Sequence, residues 1–273
     1  LTPRFVNFAG WRAYAALARM AFQRQLAYRF ANVSGLLTNG FFGLLRAYVL
    51  MALFGARAEV ASYSIRDAIT YTALTQALIA YIALWGWWDL MRSIRTGEIA
   101  SDLSRPLDFF GYWCAQDAGR AAAQIIVRGL PIMIAYALLF RITLPPTPLH
   151  WAALLVALAL ALLISFEWRF IVSLSAFWVQ DAVGIGRMAW IAVTFLSGFL
   201  MPVAFLPDWM QTLMRYTFFP AMINTVVEVY LGLLDGPALF AALSAQALWA
   251  VVLYFLARVV LAAGVRKLVI QGG

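Results

Sequence analysis

The sequence predicts an all-α membrane protein of six transmembrane helices with both termini in the cytoplasm. Three observations predict it. The 273 residues are 64% hydrophobic and only 12% charged, with a mean hydropathy of +0.84, whereas soluble domains are about half apolar and about a quarter charged. The apolar residues gather into runs close to the ~20 residues that cross a hydrocarbon core. The basic residues cluster at the ends of those runs and mostly on one side, as topology-setting charges do.

Residues 1–31 form the first predicted unit. They carry Arg4, Arg12, Arg19, Arg24 and Arg29 and no acid. Trp11, Tyr14, Ala18, Phe22 and Leu26 recur at helical spacing with Arg12, Arg19 and Gln23 offset. That pattern predicts an amphipathic helix at the inner membrane interface, an elbow bracing the first span. Arginines scattered through residues 1–30 do not make a cleavable signal peptide. Because the sequence starts at Leu1, a native methionine is expected to be missing.

Residues 32–273 form a single predicted transmembrane domain, with spans near 32–54, 67–88, 113–140, 149–178, 187–206 and 237–261. The gaps carry turn-forming residues, such as "LPPTP" at 144–148, "GIG" at 184–186 and "DGP" at 235–237. Arg92, Arg95 and Arg105 in the 89–112 loop, and Arg258, Arg266 and Lys267 in the tail, join the N-terminal arginines. Only Arg57, Arg66, Arg141 and Arg215 stand opposite. The positive-inside rule then places the loop and both ends in the cytoplasm. Trp87, Trp88, Trp113 and Trp151 fall where interfacial belts are expected.

Region 207–234 is too apolar for a solvated loop, yet Pro207, Asp208, Arg215, Pro220 and Glu228 interrupt it. Irregular backbone at membrane depth survives only when protein or a water-filled cavity borders it. The region therefore predicts a re-entrant pair of short helices. A seventh span is the competing reading, and it would put the basic tail outside.

Charges within spans mark functional sites or buried pairs. The candidates are Arg46, Asp117, Arg120, Arg128, Glu167 and Arg169. From the helical rise, Arg128 lies about 10 Å in from one edge and Glu167 about 25 Å in from the other, so an Arg128–Glu167 pair is expected. Asp117 and Arg120, three residues apart, share a helix face and are expected to pair locally. Arg120 and Arg169 are also placed to snorkel to the inner interface. Arg46, about 20 Å deep, either snorkels outward or faces a central cavity.

Several chemistries lack their residues. The chain has no phosphate-cradling glycine–lysine loop and no zinc-protease helix motif. Cys114 is the only cysteine, which excludes an internal disulfide, and no Cys/His cluster has metal-ligand spacing. His150, the only histidine, is expected to be solvated or interfacial, and the only lysine is Lys267 in the tail. A net charge of +8 without a continuous basic face does not predict nucleic-acid binding.

Two stretches carry a family resemblance. "RTGEIASDLSRPLDFFGYW" resembles the cytoplasmic loop of the type 2 ABC-transporter permeases, with a Gly–acid pair followed by Leu-x-x-Pro. "LSGFLMPVAFLPDWMQTLMRYTFFPAMINTVVEVYLG" is similar to that family's second signature, at Ser197, Gly198, Pro202, Leu206, Pro207 and Pro220. The resemblance implies a permease subunit in the cell membrane, paired with a second permease and with separate ABC ATPase subunits. ATP and magnesium would bind in those partners, with no cofactor in this chain. It further implies a coupling segment comprising Thr96, Gly97, Glu98, Asp102, Leu103, Arg105 and Pro106. Physically, a short helix begun near Thr96–Gly97 and stopped before Arg105–Pro106 makes a rigid knob. The rival readings are an ion-coupled secondary transporter, for which no internal repeat is evident, and a non-transporting scaffold.

Overall fold

The computed structural model describes residues 8–55, 57–86 and 88–267, with side chains from Gly10 onward. Arg4, Trp87, residues 1–7 of the N-terminal unit and residues 268–273 of the tail lie outside the described residues.

Helix α1 (Phe8–Ala27) is separated from α2 (Arg29–Phe54) by Tyr28 alone. A small antiparallel hairpin follows, β1 (Glu59–Val60) and β2 (Tyr63–Ser64). The helix-only expectation missed it because its turn residues, Ala61 and Ser62, both adopt positive φ without a glycine to announce them. Helix α3 (Ile65–Tyr81) starts on a capping box, Ser64 accepting from Asp67 N and Asp67 accepting from Ser64 N. It stops at Tyr81 rather than running to residue 88, because Ala83 and Gly86 turn the chain through the left-handed region. Helices α4 (Asp89–Thr96) and α5 (Ile99–Ser104) make up most of the predicted loop.

The third span begins earlier than expected, as α6 (Phe109–Gln124), and continues through a widened π-turn (Ile125–Gly129) into α7 (Leu130–Leu139). The turn sits just before Pro131, which has no N–H to give the helical ladder. Helix α8 (Pro148–Leu174) follows, then α9 (Ala182–Leu196), which replaces the expected 187–206 and stops ten residues sooner. Two short helices, α10 (Asp208–Arg215) and α11 (Asn224–Leu231), precede α12 (Gly236–Val265).

Among the described residues, four helices are long and apolar enough to cross a membrane: α2, the α6–α7 unit, α8 with its final turn, and α12. Helix α3, at 17 residues, and α9, at 15, cover about 26 and 23 Å, short of a ~30 Å core. Helices α10 and α11 cover about 12 Å each, so no seventh helix of spanning length forms there.

In a bilayer, close packing rather than water exclusion brings helices together, and small residues permit it. Helices α8 and α12 pack together, and Ala153, Ala157 and Ala161 on the one and Ala250 and Ala257 on the other are all buried. Helix α3 is the most enclosed, buried from Ala68 to Ile79, with Thr70, Thr72, Thr75 and Gln76 inside.

Helix α1 meets the start of α2 at its own last turn, where the Gln25 carbonyl accepts from Asn32 Nδ2 at 2.8 Å. It packs against α6, with Tyr14 beside Gly111 and Ala18 beside Gly119. Trp11 stays 58% exposed and Leu26 41%, so the packed stripe is narrower than the apolar spacing implied. A Cβ on Gly119 would strike the Ala18 backbone. Gly119→Val is therefore expected to lift α1 off and speed trypsin cleavage at Arg19 and Arg24. A wild-type cleavage rate would show that this contact does not hold α1.

Candidate functional site

The charged loop folds as two short helices joined by a tight turn. Helix α4 ends at Gly97, whose left-handed φ of 78° suits a residue without Cβ. Helix α5 ends at Arg105, which is extended ahead of Pro106. The helix thus starts at Ile99, not at Thr96–Gly97 as expected, with the turn ahead of it. Thr96, Gly97, Glu98, Arg105 and Pro106 are exposed, and Asp102 and Leu103 are half-buried.

Beneath the knob, fully buried Ile99 joins an apolar cluster with Leu90, Ile94, Phe109, Phe170 and Leu261. Asp102 turns inward and sideways, 3.1 Å from Arg105 and 3.5 Å from Ser93 Oγ. Arg105 also stacks on the Tyr112 ring, 4.8 Å from its centroid. Those two charges engage each other within the chain, and only Glu98 among the named acids remains outward without an ion-pair partner among the described residues.

At the loop's far end Asp108 ties three helices. Its Oδ2 accepts from Gly111 N at 2.9 Å and caps α6. Its Oδ1 lies 2.5 Å from the Arg258 guanidinium on α12. Its backbone N–H donates to Tyr14 Oη on α1 at 3.1 Å. Sequence reasoning counted Arg258 as a tail charge and Asp108 as one of the loop's charges and did not join them, because their 150-residue separation is closed only by the fold.

The intramembrane charges sort into distinct clusters. Asp117 is fully buried between two arginines, 2.7 Å from Arg120 Nε and 2.7 Å from an Arg169 nitrogen. The Asp117–Arg120 proximity was legible from spacing, while the Arg169 contact was not. Neither arginine snorkels: both are largely buried. Arg120 donates to the carbonyls of Ala80 and Tyr81 at the end of α3. Ser165 donates to that of Ile82. The cluster thus supplies partners for the last α3 carbonyls, which have none within their helix.

The expected Arg128–Glu167 pair does not form. Arg128 lies in the π-turn and donates to the Ala31 carbonyl of α2 at 2.9 Å, its guanidinium filling the space over Gly35. Glu167 is fully buried, and neither of its carboxylate oxygens has a hydrogen-bond partner among the described residues. Equal depth placed the two at one level, but helix rotation points them at different neighbours.

Arg46 turns onto the backbone of a distant part of the chain. Its guanidinium donates to the carbonyls of Phe199 and Leu200, at 2.5 and 2.8 Å, and to Thr75 Oγ1 at 3.3 Å. These carbonyls belong to the irregular stretch after α9, where Gly198 has a φ of 84°. Tyr71 Oη lies 2.5 Å from the Gly198 carbonyl. Asn224 N–H donates to the Ser197 carbonyl at 3.0 Å, and its Oδ1 accepts from Val203 N at 3.0 Å. Every carbonyl from Ser197 to Leu200 therefore has a partner from another element. Pro202 and Pro220 open short 3-10 turns, and Pro207 precedes α10. The sequence marked Ser197, Gly198 and the prolines but not Tyr71 or Asn224, which look like ordinary residues of apolar helices.

His150 is buried rather than solvated, 2.8 Å from Thr147 Oγ1 and 3.1 Å from the Leu234 carbonyl. Trp113 is buried in the cluster beneath the knob, while Trp151 stays 48% exposed.

A family model described as ABC-2 family transporter protein matches residues 42–272. No curated protein matches the chain.

Proposed function

The chain belongs to the ABC-2 transporter family, and from that premise we propose that it is the permease subunit of an ATP-driven exporter. Two such subunits, identical or paralogous, assemble with separate ABC ATPase subunits, which bind ATP and magnesium. Together they move a hydrophobic or amphipathic substrate out of the cytoplasm or the inner leaflet. In this reading α3 and α9 are the second and fifth of six spans, α10 and α11 form a re-entrant pair, and both termini face the cytoplasm of the cell's inner or plasma membrane.

The observation that carries the proposal is the knob from Thr96 to Pro106. Its outer side is exposed and polar, and its inner side is anchored through Ile99. A surface that only solvates an inner loop needs no buried anchor. A surface that transmits force from an ATPase does, because a floppy loop would absorb the displacement. Glu98 offers the free charge for an ATPase groove.

Copurification of the native protein and reversal of this charge test the reading. Glu98→Arg is expected to lose ATPase association and transport, with the permease still folded in the membrane. Unchanged association and transport would remove the knob from the mechanism. Isolation without any ATPase subunit, together with transport in the absence of ATP, would overturn the permease reading and favour an ion-coupled transporter.

A further inference from the structure

We propose that α12 is the rod that carries displacement of the loop to the irregular segments packed further along it. Asp108 is its drive point and Gln246 its output. The inference rests on the permease reading and adds to it a named route.

The route is built from contacts at two levels of one rigid element. The loop grips α12 at Ala257, Arg258 and Leu261: the first and last lie in the apolar cluster with Ile99, and the middle one pairs with Asp108. One carboxylate therefore both caps α6 and holds α12, so the loop's end cannot shift without moving both helices. Twelve residues along α12, about 18 Å by the helical rise, Gln246 is buried and donates to the Ala221 carbonyl at 2.8 Å. Ala221 sits in the 3-10 turn Pro220–Met222. Three residues on, Asn224 holds the Ser197 and Val203 backbone, the region where Arg46 and Tyr71 also converge. Helix α12 runs unbroken from Gly236 to Val265 with Pro only near its start, so nothing along it relieves an axial or rotational push.

The pair is partly exposed, and an exposed ion pair contributes little to stability. Its proposed value is mechanical linkage, and the test therefore reads coupling rather than folding. In the permease–ATPase complex reconstituted in liposomes, transport per ATP hydrolysed is measured for wild type, Asp108→Ser, Arg258→Gln, the double variant and Gln246→Leu. Serine keeps a capping oxygen for α6, and Arg258→Gln leaves that cap untouched even if the Asp108 variant misfolds. Each single variant is expected to retain the ATPase but lose about tenfold in transport per ATP, with the Asp108/Arg258 double no worse than either single, as for two residues of one linkage. Wild-type ratios in Arg258→Gln and Gln246→Leu, or losses that multiply in the double variant, overturn the route. A wild-type complex that transports without ATP overturns the permease reading instead, and the two failures are separable.

Discussion

Replacing Asp117 by alanine is expected to destabilise the protein by about 3–5 kcal/mol, the usual cost of breaking a buried ion pair from one side. The carboxylate is buried among two guanidinium groups, and its removal leaves two like charges close together in a medium that screens poorly. The positions of Arg120 and Arg169 then relax, and the α3 carbonyls of Ala80 and Tyr81 lose their aligned donors. Thermal unfolding in detergent is expected to begin well below the wild-type temperature. Adding Arg169→Met to Asp117→Ala is expected to recover part of the loss, since removing the second charge removes the repulsion. A single variant as stable as wild type would mean that water or lipid headgroups reach the cluster.

Arg46→Leu is expected to release the irregular stretch after α9. Leucine leaves the Phe199 and Leu200 carbonyls without their donor, at about 1–3 kcal/mol for each buried group. The stretch has no ladder of its own to fall back on. Hydrogen exchange at Val203 N and Asn224 N is expected to rise while that of α8 and α12 holds. Arg46→Lys is not expected to rescue it, because an ammonium lacks the planar fork that spans two adjacent carbonyls and Thr75. Unchanged exchange in the leucine variant would show that Tyr71 and Asn224 hold the segment by themselves.

Much of the architecture was legible because the bilayer enforces it. Long apolar runs become helices since a helix satisfies its backbone hydrogen bonds within a single segment in hydrocarbon, and α2, α8 and α12 lie close to where their runs predicted. Errors fell where the chain departs from the helix for reasons outside hydropathy. Helix α3 stops early at Ala83, an alanine in the left-handed region. Helix α9 stops ahead of the irregular stretch from Ser197 to Leu200, whose carbonyls find donors on α2, α3 and α11.

The candidate site was half legible. Thr96 to Pro106 could be singled out from charge, glycine and proline, and their outward face follows from the same composition. That Asp102 and Arg105 are spent on each other and that Ile99 anchors the knob required the fold. That Asp108 and Arg258 meet carries no local signal at all.

By itself the sequence determined the solvent, the helical class and the location of the charged loop, since these follow from residue counts and spacing along one chain. Only the tertiary structure decided which charges meet. Depth along a helix is a sum of rises and can be counted, whereas partner choice depends on rotation and crossing angle. Those two angles sent Arg169 to Asp117 beside the local Arg120, parted Arg128 from Glu167 and turned Arg46 onto the carbonyls after α9.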